Sequence, residues 1–184
     1  MFENTLKNIY QKIWTQGEID DWTNYIGQLS WLLFLRYLDN LDSEKKDQAS
    51  LEGKKYKPIL EEKYRWSSWA VPKNGLGVID YNLAMTDDDL IKFVNKELFP
   101  YLISIGQSTK SDTIQYTISE IFKKLENKFE SGFVLRDALD EIDYLEFNTS
   151  KQRDELGHIY ENMLQNLNNK GSGKGEYYTP RPLI

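Results

Sequence analysis

Apolar residues recur along this chain at spacings of three and four, the repeat of a helix that buries one face. Leu6, Ile9, Tyr10, Ile13 and Trp14 mark a first amphipathic stretch. The next runs from Ile19 to Leu41, with Ile19, Trp22, Tyr25, Ile26, Leu29, Leu32 and Leu33 on its apolar face. Between Trp31 and Leu38 this segment is apolar almost all round, which predicts a central helix enclosed on most sides. Asp42 to Lys57 is dense in charge and reads as a solvated loop or helix end. From Pro58 to Ala84 the periodicity breaks: Trp66, Trp69, Pro72, Gly75 and Gly77 fall where no long helix fits. Trp66 and Trp69 are three apart, so one helical turn would pack both onto the core. Gly77-Val78-Ile79 reads as a short extended piece.

Helix resumes at Thr86, followed by Asp87, Asp88 and Asp89. A hydroxyl ahead of carboxylates is a start signal, because the oxygen can accept from a free amide and the acids lie at the positive end of the dipole. The same triple Asp could suggest a cation site. It lacks the glycine turn and distal Glu of a calcium loop, so capping is the reading taken. Three more stripes follow: Ile114, Ile118, Ile121, Phe122, Leu125 and Phe129; then Leu135, Ala138, Leu139, Ile142 and Leu145; then Leu156, Ile159, Tyr160, Met163, Leu164 and Leu167. No internal repeat or coiled-coil pattern is found. The pattern predicts an all-α multi-helix bundle with one irregular Trp/Pro/Gly-containing segment, over residues 1–167. Residues 168–175, rich in Gly, Asn and Lys, read as a linker, and 176–184 as the start of another element, which suggests a longer polypeptide.

Composition narrows the class. Apolar residues make up 40% of the 184 and aromatic ones 14%, enough to offset the ordering entropy that keeps a polar chain unfolded. With no cysteine there is neither disulfide nor thiolate metal site, and the simplest compartment is a reducing, cytoplasmic one. The longest apolar run, Trp31 to Leu35, meets Arg36 long before the roughly 18 residues a bilayer crossing needs. Met1-Phe2-Glu3-Asn4 lacks the basic start of a secretion signal. Acidic residues number 29 against 23 basic, for a net charge of −6. Phosphate binding requires positive charge, so composition alone favours a protein partner over a nucleic acid. The small cluster Lys54, Lys55 and Lys57 is the one candidate for phosphate contact.

Catalytic patterns are sought without success. Gly171-Ser172-Gly173-Lys174-Gly175 imitates a phosphate loop but has glycine where the hydroxyl must follow the lysine. The lone His158, without a plausible Ser or Cys partner, cannot support a catalytic triad, and no metal-ligand spacing occurs. No residue is assigned as catalytic or as a metal ligand, and the chain by itself is expected to be inactive.

Three stretches in order nevertheless resemble one family. Leu29-Ser30-Trp31-Leu32-Leu33-Phe34-Leu35-Arg36-Tyr37-Leu38-Asp39 is similar to its early helix, and Tyr64-Arg65-Trp66-Ser67-Ser68-Trp69-Ala70 to the paired-tryptophan segment after it. Leu156-Gly157-His158-Ile159-Tyr160-Glu161, followed by Gly175-Glu176-Tyr177-Tyr178-Thr179-Pro180-Arg181, is similar to the entry into its catalytic domain. The family is the modification subunit of type I restriction-modification systems, a DNA adenine-N6 methyltransferase. The resemblance implies that the full subunit uses S-adenosylmethionine to methylate an adenine flipped from the duplex. It implies pairing with a specificity subunit and a second modification subunit, with a restriction subunit able to join, around DNA. It makes Glu176, Tyr177, Tyr178, Thr179, Pro180 and Arg181 cofactor-binding residues. The family's glycine-rich loop and Asn/Asp-Pro-Pro-aromatic motif do not occur within the 184 residues, so no complete cofactor pocket is expected here. The other reading of the residues is a self-contained helical adaptor that binds only protein.

Overall fold

The computed structural model describes residues 22–107, 109–145 and 147, together with 8, 9, 11, 12, 152, 154, 157 and 158. Among them the architecture is all-α, its only β pairing being the isolated antiparallel bridge Lys73–Ile79. The helices are α1 (Trp22–Leu51), α2 (Trp66–Trp69), α3 (Asp87–Phe93), α4 (Phe99–Ser104), α5 (Ile114–Phe122) and α6 (Gly132–Asp143).

Helix α1 is the central helix the hydrophobic run predicts. Trp31, Leu32, Leu33, Leu35 and Leu38 are all buried, and Phe34 and Tyr37 pack against them half-buried. The Trp31 indole donates to Gln28 Oε1 at 2.9 Å, satisfying a polar atom that would otherwise be costly in the core. The same Gln28 donates to the Glu126 carbonyl and accepts from the Lys128 amide, tying the segment after α5 to α1. Phe99 and Phe129 meet the Trp31 ring edge-on, at 5.3 and 6.4 Å.

The helix does not end where its apolar face does. It continues to Leu51 as a solvated arm, sustained by good helix formers and by contacts one turn apart, Asn40 to Glu44 and, at its end, Gln48 to Glu52. It stops at Gly53, whose φ of 65° is the left-handed turn glycine adopts without a Cβ penalty. The Gly53 amide donates to the Ser50 carbonyl and the Lys54 amide to Ala49. The charged stretch from Asp42 is therefore helix for its first ten residues and loop only after Leu51.

Helices α3 and α4 are one rod interrupted by a π-turn, Val94–Leu98. The cause sits just beyond it: Pro100 has no N–H to give and its ring crowds the carbonyl four residues back, so the ladder widens there. Correcting one expectation, the Thr86 side chain makes no capping bond. Asp87 stands at φ 51°, and its backbone is pressed against Gly132 at the start of α6. The first-turn carboxylates Asp87, Asp88 and Asp89 do lie at the helix start. Helices α5 and α6 have working caps, Thr113 accepting from the Tyr116 amide and Ser131 from the Val134 amide. The predicted α5 stripe outlasts the helix: Leu125 and Phe129 are buried from the irregular chain that follows. Helix α6 packs on α1 and α3, and α4 on α5. Of the first amphipathic stretch, Ile9 is buried in the core and Lys12 pairs with Glu141 of α6 at 2.9 Å. The apolar residues of the last stripe, Leu156, Ile159, Tyr160, Met163, Leu164 and Leu167, lie outside the described residues.

Candidate functional site: the strapped segment and its exposed face

The irregular segment is bound to the bundle by buried charge. Asp143, at the end of α6, accepts a hydrogen bond from the Trp66 indole at 3.1 Å and forms ion pairs with Arg36 of α1 at 3.2 Å and Lys73 at 3.0 Å. Asp39 and Asp42 of α1 both face Arg65 at 3.5 Å, and Ser67 donates to Asp39 at 3.1 Å. Arg136 of α6 donates to the Ala70 carbonyl and lies 3.5 Å from Asp140. These groups are mostly covered, so each depends on its partners: removing one leaves a desolvated charge. Burial raises the Asp39 carboxyl above its ordinary pKa despite the opposing pull of Arg65, and Asp140 is raised by burial too. Trp66 and Trp69 are both buried, the expected consequence of their spacing, and meet edge-on at 5.8 Å. Tyr64 lies flat on Tyr101 at 3.8 Å, fastening the front of the segment to α4.

Arg36 and Asp39 belong to the first of the three family-like stretches; Arg65, Trp66 and Ser67 belong to the second. The fold sets these stretches side by side, where they make contact with each other and with Asp143. Sequence reading singled out the tryptophans and missed Asp42, Asp143 and Arg136. The available signal was a charged residue set within an apolar stripe, as Arg136 is beside Leu135.

Lys54, Lys55 and Lys57 lie together on the strap that returns from the tip of α1, all exposed. The strap is pinned by Asp42, which accepts from the Tyr56 hydroxyl at 2.6 Å and from the Ile59 amide at 2.8 Å. Burial, then Asp42, push the Tyr56 phenol up to about 12. Lys54 is paired with Glu52 at 2.6 Å, which reduces the local positive charge. His158 is an exposed helical position. Glu176, Tyr177, Tyr178, Thr179, Pro180 and Arg181 lie outside the described residues. Among the described residues no group of three His, Asp or Glu side chains converges as a metal site, and no helix is long and apolar enough to cross a membrane.

The first two family-like stretches interlock in this way, and comparison with known proteins bears out the resemblance they carry. The family model of the HsdM N-terminal domain matches residues 2–142, and the chain belongs to that family. A second model, N-6 DNA Methylase, matches residues 151–184. The EcoEI type I restriction enzyme methylase subunit of Escherichia coli is 29% identical over 180 residues, 98% of this chain and 34% of that protein. The StySJI methylase subunit of Salmonella typhimurium is 28% identical over 88% of this chain and 25% of its own length. The chain thus spans about a third or a quarter of the length of these curated relatives. A crystal structure of a modification subunit of a putative type I restriction enzyme from Vibrio vulnificus YJ016 superposes with a TM-score of 0.74 at 30% identity, over 98% of this chain and 38% of that one. A chain from a structure addressing complex assembly and conformational transition of the type I R-M system gives a TM-score of 0.64 at 28% identity, over 98% of this chain and 33% of that one.

Proposed function

We propose that this chain is the assembly and DNA-clamping part of a type I modification subunit whose whole polypeptide methylates adenine N6 in DNA with S-adenosylmethionine. One observation carries the reading: the HsdM N-terminal model over residues 2–142 is followed at once by the N-6 DNA Methylase model over 151–184. In this reading residues 1–167 form the helical domain, 168–175 a linker, and 176–184 open the methyltransferase domain. Glu176, Tyr177, Tyr178, Thr179, Pro180 and Arg181 form one edge of the cofactor site. The partners are a specificity subunit, a second modification subunit and, in the restricting complex, a restriction subunit, all in the cytoplasm.

Lys54, Lys55 and Lys57 on the strap beyond α1 are the phosphate-contacting group of the clamp. A domain with net charge −6 cannot bind DNA by overall attraction, so contact has to be local and to depend on the assembled complex holding the duplex in place. Calorimetry with S-adenosylmethionine tests the main reading, comparing this chain with a polypeptide extended by about 300 residues, a length in line with one or two further domains. Binding by the extended polypeptide alone is the expected result; binding by neither overturns it. In the assembled complex, replacing the three lysines by glutamine lowers DNA affinity alike for all sequences and reduces the salt slope by about 3. An unchanged slope removes the lysines from the clamp.

A further inference from the structure

Asp42 of α1 fixes the chain where it returns from the tip of that helix. Its Oδ1 accepts from the Tyr56 hydroxyl at 2.6 Å and from the Ile59 amide at 2.8 Å, while its Oδ2 faces Arg65 at 3.5 Å. The Asp42 side chain is only 5% exposed, so these partners offset the cost of taking its charge out of water. The bonds to Oδ1 bracket Lys57-Pro58. Proline fixes its own φ and holds the residue before it to extended backbone, so the bracketed piece has little freedom of its own. Tyr56 is half-buried, while Lys55 and Lys57 on either side of it are exposed, and Ile59 and Leu60 beyond are buried. Lys54 is held by Glu52, whereas Lys55 and Lys57 form no ion pair among the described residues.

We infer that Asp42 and Tyr56 are positioning residues of the clamp: their hydrogen bond holds Lys55 and Lys57 in solvent as a preformed pair for DNA phosphates. The inference rests on the phosphate-contacting role proposed above for the lysine cluster. A lysine on a loose loop has to be ordered when it meets a phosphate, and part of the binding free energy is lost in doing so. Here the backbone beneath both lysines is already fixed through the tyrosine between them, so that ordering is complete before DNA arrives. Arg65 meets the charge of Asp42 from the other side. The carboxylate that fixes the strap therefore does not compete with phosphate for the lysines.

Binding of a mixed-sequence DNA duplex by the assembled complex, measured over a range of salt and well below the melting temperature of every variant, tests this. The unaltered protein is compared with Tyr56→Phe, with Lys55→Gln and Lys57→Gln together, and with all of these changes combined. Tyr56→Phe removes only the hydroxyl; Asp42 stays in place, because deleting it would also strip the buried Arg65 of a partner. Tyr56→Phe is expected to weaken binding about three- to tenfold, as the freed lysines must then be ordered on binding. Its salt slope should change by less than about 1, because both charges remain, whereas the lysine pair should reduce the slope by about 2. Added to the lysine pair, Tyr56→Phe should weaken binding no further, since no charge is left to position. An equal loss from Tyr56→Phe with and without the lysines marks a purely structural role and overturns the inference. Unchanged affinity in Tyr56→Phe, where the lysine pair alone lowers the slope, also overturns it; in both cases the lysine clamp stands. A lysine pair that alters neither affinity nor slope overturns the clamp, and the positioning with it.

Discussion

Gly132→Ala is expected to destabilise this protein, although alanine normally favours a helix. Gly132 opens α6, and a Cβ there would lie 1.9 Å from the Asp87 carbonyl oxygen and 2.4 Å from its carbon. Real Cβ atoms essentially never come within 3.0 Å of another heavy atom, so one backbone must retreat by about 1 Å. The obstructing atoms are main chain and cannot rotate aside. Moving them disturbs Asp87, already held at φ 51°, and with it the start of α3, whose Leu90 and Phe93 fill the core. Overpacking of this kind costs about 1–3 kcal/mol or more. The opposing gain from helix propensity is about 0.5–1 kcal/mol in a helix interior and less at its first residue. The net loss is therefore about 1–2 kcal/mol or more. Gly27→Ala is the control, since that glycine lies inside α1 with nothing within 4 Å of its Cβ position; there only the propensity gain of about 0.5–1 kcal/mol operates. Urea unfolding followed by tryptophan fluorescence reads both variants. With a slope of about 2 kcal/mol per M, Gly132→Ala lowers the midpoint by about 0.5–1 M, while Gly27→Ala raises it slightly. A Gly132→Ala midpoint at or above that of the unaltered protein refutes the close approach of α6 to Asp87.

Two further expectations concern the charged anchors. Asp143→Ala removes the countercharge of Arg36 and the acceptor of the Trp66 indole and should cost about 2–3 kcal/mol by urea unfolding, more than Asp143→Asn, which keeps an acceptor for the indole. Equal losses for the two would mean that the indole bond contributes nothing. Tyr56 has a folded pKa of about 12 against an ordinary 10.0, so its contribution to stability is fully present below pH 10 and is lost as pH rises through about 12. Stability measured across that window should fall more steeply in the unaltered protein than in Tyr56→Phe, whose constant loss at lower pH is about 1 kcal/mol for the missing bond to Asp42. Parallel curves would show that the Tyr56 hydroxyl is not held as described.

The three-and-four spacing of apolar residues located α1, α5 and α6, because a helix is specified by neighbours within two turns and its buried face is written directly in their order. The same rule missed the last ten residues of α1, which carry no apolar face and are helical through propensity and local side-chain contacts alone. It also extended the α5 stripe into Leu125 and Phe129, which reach the core without helix; burial sets the spacing of apolar residues whether or not the backbone coils. Thr86 had the right chemistry for a cap, yet its hydroxyl is unused there and the adjacent backbone is set against Gly132. The family-like stretches were legible as stretches, but not as a set of fastenings joined at Asp143.

By itself, then, the sequence determined the helical class, the central place of α1, the burial of Trp66 and Trp69 and the family to which the chain belongs. Each of these is set by residues close together or by a pattern read in order. Tertiary structure decided where α3 begins and which carboxylates receive Arg36 and Arg65. Those outcomes depend on groups far apart in the chain being brought within a few ångströms. Neither propensity nor periodicity carries information about such approaches, because both are sums over neighbours, whereas a buried charge or a missing Cβ is decided by whatever the fold places opposite it.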